Sequence, residues 1–154
     1  ILYSNIYREK YREFLKIDFP RIPFTKDYEL FKLLVELGKQ LVELHLLKSK
    51  ELEYPIAKFN GEGVGNVEKR EYIEDKKHVY INKTQYFEGI ESKLWNYYIG
   101  GYQVLDKWLK DRKGRYLSAE DIRHYCRMVT ALARTIEVQE RIDKLYLKVE
   151  ESSK

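Results

Sequence analysis

Residue types that build disulfide frameworks, metal centres and membrane spans are scarce in this sequence. One cysteine in 154 residues, Cys126, excludes a disulfide framework and a cysteine-rich zinc site. The scattered His45, His78 and His124 do not replace the missing ligands, so we expect no metal. The most apolar stretch, 30–47, contains four charged residues and falls short of the ~18 apolar residues of a membrane span. These absences predict a cytoplasmic chain with no membrane contact and no signal peptide.

Charged residues are abundant, but the two signs nearly balance. They make up 35% of the chain, with 29 Lys and Arg against 25 Asp and Glu, which gives a net charge of +4. This balance excludes a histone-like polycation, so any surface that binds nucleic acid must be local. The length and a hydrophobic content of 44% fit one globular domain with a buried core.

Helical periodicity marks the first fifty residues. A first helix is predicted to end at 18–23, where two prolines force the preceding backbone into an extended form. A second helix is predicted from about Lys26 to Leu47, with Thr25 as its N-cap. Its apolar stripe consists of Leu30, Phe31, Leu34, Leu37, Leu41 and Leu44.

The middle of the chain changes to the alternating pattern of strands. β-Branched and aromatic residues alternate with charged ones at 67–73 and 78–82, which predicts two strands joined by a polar turn. A third strand is predicted at 54–59, where Pro55 favours an edge position. The glycine-rich stretch 61–65 lies between strands, so it lacks the strand-to-helix context of a dinucleotide-binding loop.

Helical patterns return in the last third of the chain. A helix over about 91–111 is predicted to bend or break at the glycine pair 100–101. A long last helix is predicted from about 119 towards 150, behind a capping box of Ser118 and Asp121.

Together these patterns predict an α+β fold that is mainly helical. We expect about four helices and a small central antiparallel β-sheet. The whole chain, 1–154, is predicted to be one domain, with a helical part at 1–50, a β part at 51–90 and a second helical part at 91–154.

The most localised charge signal is a run of cations in front of the last helix. Five basic residues fall within 107–115, and Arg123, Arg127 and Arg134 on the last helix continue the series. A continuous basic stripe suits contact with phosphates, although a solvated loop and a polar helix face would have the same composition. The predicted phosphate contacts are Lys107, Lys110, Arg112, Lys113, Arg115, Arg123 and Arg127.

No catalytic constellation stands out in the sequence. Most carboxylates alternate with basic residues, as on solvated faces, and no serine or cysteine has the sequence context of a nucleophile. Cys126 adjoins inward-facing positions of the last helix, which predicts a small buried hydrophobe. The sequence therefore favours a binding role over catalysis within this chain.

Two blocks of sequence resemble a known family of enzymes. The first resembles the C-terminal region of large adenine-N6 DNA methyltransferases, and it comprises YREKY at 7–11, FLKIDFPRIPF at 14–24 and the spaced LG and LHL at 37–46. The second resembles the specificity domain that closes type ISP single-chain restriction-modification enzymes, and it comprises VYINKTQYF at 79–87 and IGGYQVLDKWLKDRKGR at 99–115. The resemblance covers almost the whole chain.

The resemblance implies that this chain recognises duplex DNA and that an upstream methyltransferase core in the same polypeptide performs the chemistry. The cofactor of that core would be S-adenosylmethionine, with none bound in this segment, and the parent enzyme could also carry a nuclease and a helicase. Phosphate contacts would position the domain, and side chains in a groove would read the sequence. The residues that we expect to read bases are Arg70, Asn82, Lys83, Gln85 and Tyr86.

Two other interpretations stay open on the sequence. The chain could be a non-catalytic helical scaffold that docks on the methyltransferase core or another acidic protein, with the basic stripe facing that partner. It could also be a free-standing small enzyme, which would require a native polypeptide of this length. Because the chain begins at Ile1 inside an amphipathic pattern with no N-cap residue, we expect it to be part of a longer polypeptide.

Overall fold

The computed structural model describes residues 1–152, which contain five α-helices and six short β-strands. The helices are α1 (Asn5–Lys10), α2 (Tyr28–His45), α3 (Ser92–Trp95), α4 (Val104–Lys110) and α5 (Ala119–Ser152). The strands are β1 (Lys58–Asn60), β2 (Glu71–Ile73), β3 (His78–Tyr80), β4 (Tyr86–Glu88), β5 (Tyr98–Ile99) and β6 (Tyr102–Gln103). The predicted α+β fold, mainly helical with a small antiparallel sheet, is confirmed.

Two compact units divide these elements. The first comprises Ile1–Leu46 and the chain from Arg134 onward, and the second comprises Leu47–Ala133. The long helix α5 contributes to both units. That the chain forms one domain stays a prediction.

The first unit is built from α1, α2 and the C-terminal part of α5. Tyr7, Leu30, Tyr146 and Val149 form a buried cluster in its core. The sequence pattern predicted no N-cap for the first helix, but Ser4 caps α1, because its Oγ accepts a hydrogen bond from the backbone N–H of Tyr7. The Ser4 hydroxyl also donates a hydrogen bond to Asp143 Oδ1 at 2.7 Å. The first predicted helix is shorter than expected, because α1 ends at Lys10 and only a 3-10 turn follows before the prolines.

The N-cap of α2 differs from the prediction. Asp27 caps the helix, because its carboxylate accepts hydrogen bonds from the backbone N–H groups of Glu29 and Leu30. Thr25 Oγ1 instead accepts a hydrogen bond from the backbone N–H of Asp27 and so shapes the turn in front of the helix.

The second unit contains a four-stranded antiparallel sheet in the order β1-β4-β3-β2. β1 lies at an edge, as expected from Pro55, but β4 was not predicted and lies in the centre. Val79 and Phe87 lie opposite one another in β3 and β4 and are fully buried. The Phe87 ring packs 4.3 Å from the Tyr125 ring of α5, so this face of the sheet carries the core of the unit.

The predicted break at the glycine pair is present, but a hairpin and two short helices replace the bent helix expected over 91–111. The segment contains α3, the β5–β6 hairpin and α4, and the glycine pair 100–101 forms the tip of the hairpin, with Gly100 at φ +59°. The predicted capping box of α5 is present, because Asp121 N donates to Ser118 Oγ and Ser118 N donates to Asp121 Oδ2, each at 3.0 Å.

Candidate nucleic-acid interface

The basic loop (residues 110–117) connects α4 to α5, and its backbone is fixed by pairing with the extended segment 65–67. Val67 N donates a hydrogen bond to Arg115 O at 2.9 Å, and Gly114 N donates to Val67 O at 2.8 Å. Gly114 has φ +80°, a left-handed conformation that glycine adopts without strain. The basic side chains of this loop therefore project from an ordered backbone.

Two of the predicted phosphate contacts are engaged with neighbouring side chains. Lys107 Nζ donates a hydrogen bond to Asp111 Oδ1 at 2.6 Å, and this contact is the main reason that the pKa of Asp111 is below its ordinary value. The Arg112 guanidinium lies 3.6 Å from the centroid of the Trp108 ring and 3.7 Å from Asp121. Both cations are consequently held in place and partly neutralised.

Two further arginines are half-buried and bonded within the second unit. Arg127 donates a hydrogen bond to the backbone carbonyl of Leu47. Arg70 Nε donates to Asp106 Oδ1 at 2.7 Å. These guanidinium groups join distant parts of the chain, and their predicted roles in phosphate contact and base readout stay predictions.

The remaining cations are exposed. Within residues 1–152, the side chains of Lys113, Arg115 and Arg123 make no hydrogen bond or ion pair. Lys110, at the end of α4, is also exposed and contributes to lowering the pKa of Asp111, after the larger effect of Lys107. The structure thus leaves four cations of the predicted set available to an external anion.

The predicted readout residues Asn82 and Gln85 have buried side chains that bond to one another and to the loop before β2. Asn82 Nδ2 donates to Gln85 Oε1 at 3.0 Å and to Asn66 O at 3.0 Å. Gly65 N donates to Gln85 Oε1 at 2.8 Å. Asn82 Oδ1 accepts hydrogen bonds from the backbone N–H groups of Thr84 and Gln85 at 3.0 and 2.7 Å, which closes the turn.

The glycine-rich stretch 61–65 packs directly against this turn. A Cβ on Gly61 would lie 2.0 Å from Thr84 O, and a Cβ on Gly63 would lie 2.6 Å from Gln85 Oε1. Thr84 Oγ1 donates a hydrogen bond to Glu62 O at 2.7 Å. We call residues 61–65 and 82–85 together the loop pair. Its two halves approach so closely that a Cβ at Gly61 would collide with the Thr84 backbone, and a Cβ at Gly63 would displace the Gln85 side chain.

Tyr86 belongs to an aromatic face of the sheet. Its ring stacks on His78 with centroids 4.2 Å apart and lies 4.9 Å from the Tyr80 ring. The ammonium group of Lys69 lies 5.5 Å from the Tyr80 ring centroid. Tyr86 is half-buried, whereas the side chain of Lys83 is exposed at the tip of the turn.

The segment 65–67 brings the two sets of predicted residues together. Its Val67 pairs with the basic loop, and its Gly65 and Asn66 bond to the side chains of Gln85 and Asn82. The basic loop and the turn at 82–85 therefore both hydrogen-bond to the segment 65–67, although they are far apart in the sequence.

Sequence reasoning missed the role of 61–65 and of Asn66. The signal was the spacing of three glycines in front of a strand, which was considered only for cofactor binding.

Cys126 is buried as predicted, and burial raises the pKa of its thiol to about 11. Among residues 1–152 there is no group of three or more His, Cys, Asp or Glu side chains that could hold a metal ion. The same residues include no helix that is both long and apolar enough to cross a membrane.

The fold and the basic loop define an α+β protein with a group of exposed cations on and beside a hydrogen-bonded loop. A family model described as the Type ISP C-terminal specificity domain matches residues 1–141, and the chain belongs to this family. A search of curated proteins found no match.

Three solved structures show the same fold. The chain matches a nuclease-deletion mutant of the Type ISP restriction-modification enzyme LlaGI in complex with a DNA substrate mimic, with 20% identity and a TM-score of 0.67, over 91% of this chain and 13% of that one. It matches the ATP-dependent Type ISP restriction-modification enzyme LlaBIII bound to DNA, with 19% identity and a TM-score of 0.65, over 90% of this chain and 10% of that one. It matches a DrdV–DNA complex with 20% identity and a TM-score of 0.70, over 92% of this chain and 17% of that one. The chain thus spans between a tenth and a fifth of the length of these proteins.

Proposed function

We propose that this chain is the DNA target-recognition domain of a larger adenine-N6 DNA methyltransferase or single-chain restriction-modification enzyme. It binds duplex DNA and presents it to an upstream catalytic core. The observation that carries the proposal is the set of exposed cations Lys110, Lys113, Arg115 and Arg123, on and beside a loop whose backbone is fixed. Membership of the specificity-domain family supports it.

Electrostatics gives these cations their role. A lysine or arginine that neutralises a DNA phosphate releases counterions condensed on the DNA, and this release supplies affinity without reading the base sequence. The fixed backbone reduces the entropy that is lost when the loop binds. The three solved relatives are each in complex with DNA or a DNA mimic, which supports the same partner for this chain.

Methyl transfer is assigned to the core, together with its cofactor S-adenosylmethionine. In this chain the glycine-rich stretch is filled by its own neighbours, since Thr84 and Gln85 occupy the space beside Gly61 and Gly63. This packing supports the proposal that the cofactor binds to the core and not to this stretch. The residues of this chain bind and orient the DNA, and the core performs the chemistry.

The experiment is fluorescence anisotropy of a pooled DNA duplex at about 50 and 200 mM salt, with heparin as a polyanion control. Phosphate-driven binding falls steeply over this range. We expect binding at low salt that a heparin excess abolishes on most duplexes but not on those containing the target. Absence of binding at both salt concentrations would contradict the proposal.

A second function, docking on the methyltransferase core, is favoured by the apolar surface of the first unit. Ile17, Phe19 and Phe24 are 83%, 89% and 81% exposed, on the segment between α1 and α2. Exposed apolar side chains grouped in this way are typical of an interaction surface. Capture of the separately expressed core, with equal affinity in the presence of every DNA sequence or none, would identify a docking scaffold. Loss of capture in the triple variant I17S/F19S/F24S would assign the contact to this segment.

A further inference from the structure

We propose that the loop pair is the sequence-reading element and that its exposed side chains Glu62, Val64 and Lys83 contact the bases. Asn82 and Gln85 are positioning residues that hold the two loops in register. The inference rests on the proposed function and names the residues that determine its specificity.

The oxygen atoms of both buried amides are already occupied, and so is the amide nitrogen of Asn82. Gln85 Oε1 accepts two hydrogen bonds, from Gly65 N and Asn82 Nδ2, and Asn82 uses both its oxygen and its nitrogen within the protein. Their side chains are buried, with 4% and 5% exposure. An amide that reads an adenine edge must offer a free donor and a free acceptor together, which Asn82 does not have in this arrangement.

The side chains at the surface of the loop pair have the opposite character. Glu62, Val64 and Lys83 are exposed, and Val64 is 70% exposed although it is apolar. Within residues 1–152, the carboxylate of Glu62 and the ammonium group of Lys83 make no hydrogen bond or ion pair. The Glu62 carboxylate and the Lys83 ammonium group are thus unpaired, whereas the backbone that carries them is held by the hydrogen bonds of the loop pair.

The three side chains offer three different contacts to the major groove. A carboxylate accepts a hydrogen bond from the amino group of cytosine, an ammonium group donates to the O6 and N7 atoms of guanine, and an apolar side chain contacts the methyl group of thymine. The major groove is wide enough to admit a two-stranded ribbon.

The position of the loop pair beside the basic loop supports this role. Gly65 and Asn66 bond to the turn at 82–85, and Val67, next in sequence, bonds to Gly114 and Arg115. Strands paired in this way lie about 5 Å apart. Phosphate contacts from Lys113 and Arg115 would therefore set the register in which the neighbouring loop pair meets the groove.

The test is selection of bound duplexes from a randomised pool, combined with titration on the preferred and on a scrambled duplex. The variants are E62Q, V64A and K83A at the surface, and Q85E and Q85A in the interior. Each surface variant should change the preferred base at one or two positions and weaken the preferred duplex by about 5- to 150-fold, with the scrambled duplex bound within about two-fold of wild type.

The pair of Gln85 variants separates positioning from readout. Q85E retains the oxygen that accepts from Gly65 and Asn82, so it should keep the wild-type preference, whereas Q85A should lose selectivity at several positions at once. If Gln85 itself read a base through its amide, Q85E would change the preferred base. Thermal unfolding of each variant identifies any loss that is due to misfolding, and the surface variants keep the test decisive in that event.

The remaining outcomes distinguish this inference from the proposed function. Salt-dependent DNA binding with no sequence preference, or a preference unchanged in all three surface variants, would overturn the inference and leave DNA binding intact. No binding to any duplex at low salt would overturn both.

Discussion

Arg70 Nε donates a hydrogen bond to Asp106 Oδ1 across 2.7 Å, and this ion pair joins the segment leading into β2 to α4. Both side chains are about three-quarters buried, with 24% and 27% exposure. A charge-assisted bond in such a site contributes more than a surface pair, because each group would otherwise be buried without a partner.

We expect D106A to lower the free energy of unfolding by about 1–2 kcal/mol. A double-mutant cycle with R70A should give a coupling of about 1 kcal/mol, measured by urea unfolding. The matched control is the exposed pair Glu29–Lys32 on α2, whose coupling should be below about 0.5 kcal/mol. Equal couplings for the two pairs would show that burial does not strengthen the Arg70 contact.

The capping box of α5 should make the free energy of unfolding depend on pH in the acidic range. Hydrogen bonds from Ser118, first from its backbone N–H, lower the pKa of Asp121 below the ordinary value of 3.8. A carboxylate whose pKa is lowered by folding stabilises the folded state fully at pH values above its unfolded-state pKa. This contribution is lost as the pH falls through the lower, folded-state pKa. Because Asp121 is about one-third exposed, solvent screens the effect to at most about 1 kcal/mol.

We therefore expect the stability difference between wild type and D121N to narrow between pH 6 and pH 2.5 in urea unfolding. Protonation of the other carboxylates affects both proteins and cancels in the difference. A difference that stays constant with pH would show that the Asp121 charge contributes nothing to the cap.

Close approach in the loop pair makes Gly61 intolerant of a side chain. G61A would place its Cβ 2.0 Å from Thr84 O at a residue with φ +95°, so we expect a loss of roughly 1–3 kcal/mol in the free energy of unfolding. The control is G101A at the hairpin tip, where no atom lies within 4 Å of the added Cβ and φ is not positive. It should change stability by less than about 0.5 kcal/mol. Similar losses in both variants would contradict the packing argument.

Exposed and engaged cations should differ in their effect on DNA binding. The double variant K113A/R115A should reduce the slope of log affinity against log salt by about 0.9 for each phosphate contact that is lost. K107A should change the slope less, because Lys107 is already paired with Asp111. Anisotropy titrations over four salt concentrations measure both slopes, and a larger change for K107A would refute the distinction.

Several elements could be predicted because their signals are local. The helix α5 follows from helical periodicity and from Ser118 and Asp121, three residues apart, and the centre of α2 follows from its leucine stripe. The predicted N-cap of α2, Thr25, was wrong, because Thr25 and Asp27 are both capping residue types and only the geometry shows which one reaches the free N–H groups.

Other elements depend on partners that are distant in sequence. β4 has three residues, too few for a periodic signal, and becomes a central strand through pairing with β1 and β3.

The hairpin at Gly100 interrupts a stretch whose apolar spacing resembled a helix, because two adjacent glycines weaken the helix enough for a turn to form.

The α+β class, the long amphipathic helices and the cluster of cations before α5 could be predicted from the sequence, because periodicity, capping and local charge depend on neighbouring residues. Which of those cations stay exposed, and which polar residues turn inward, depends on contacts that form only in the folded chain. Asn82 and Gln85 have the chemistry of base-reading residues, but the segment at 65–66 supplies hydrogen-bond partners that bury them. Whether a polar side chain faces solvent depends on which distant backbone passes beside it, and that is a property of the folded chain.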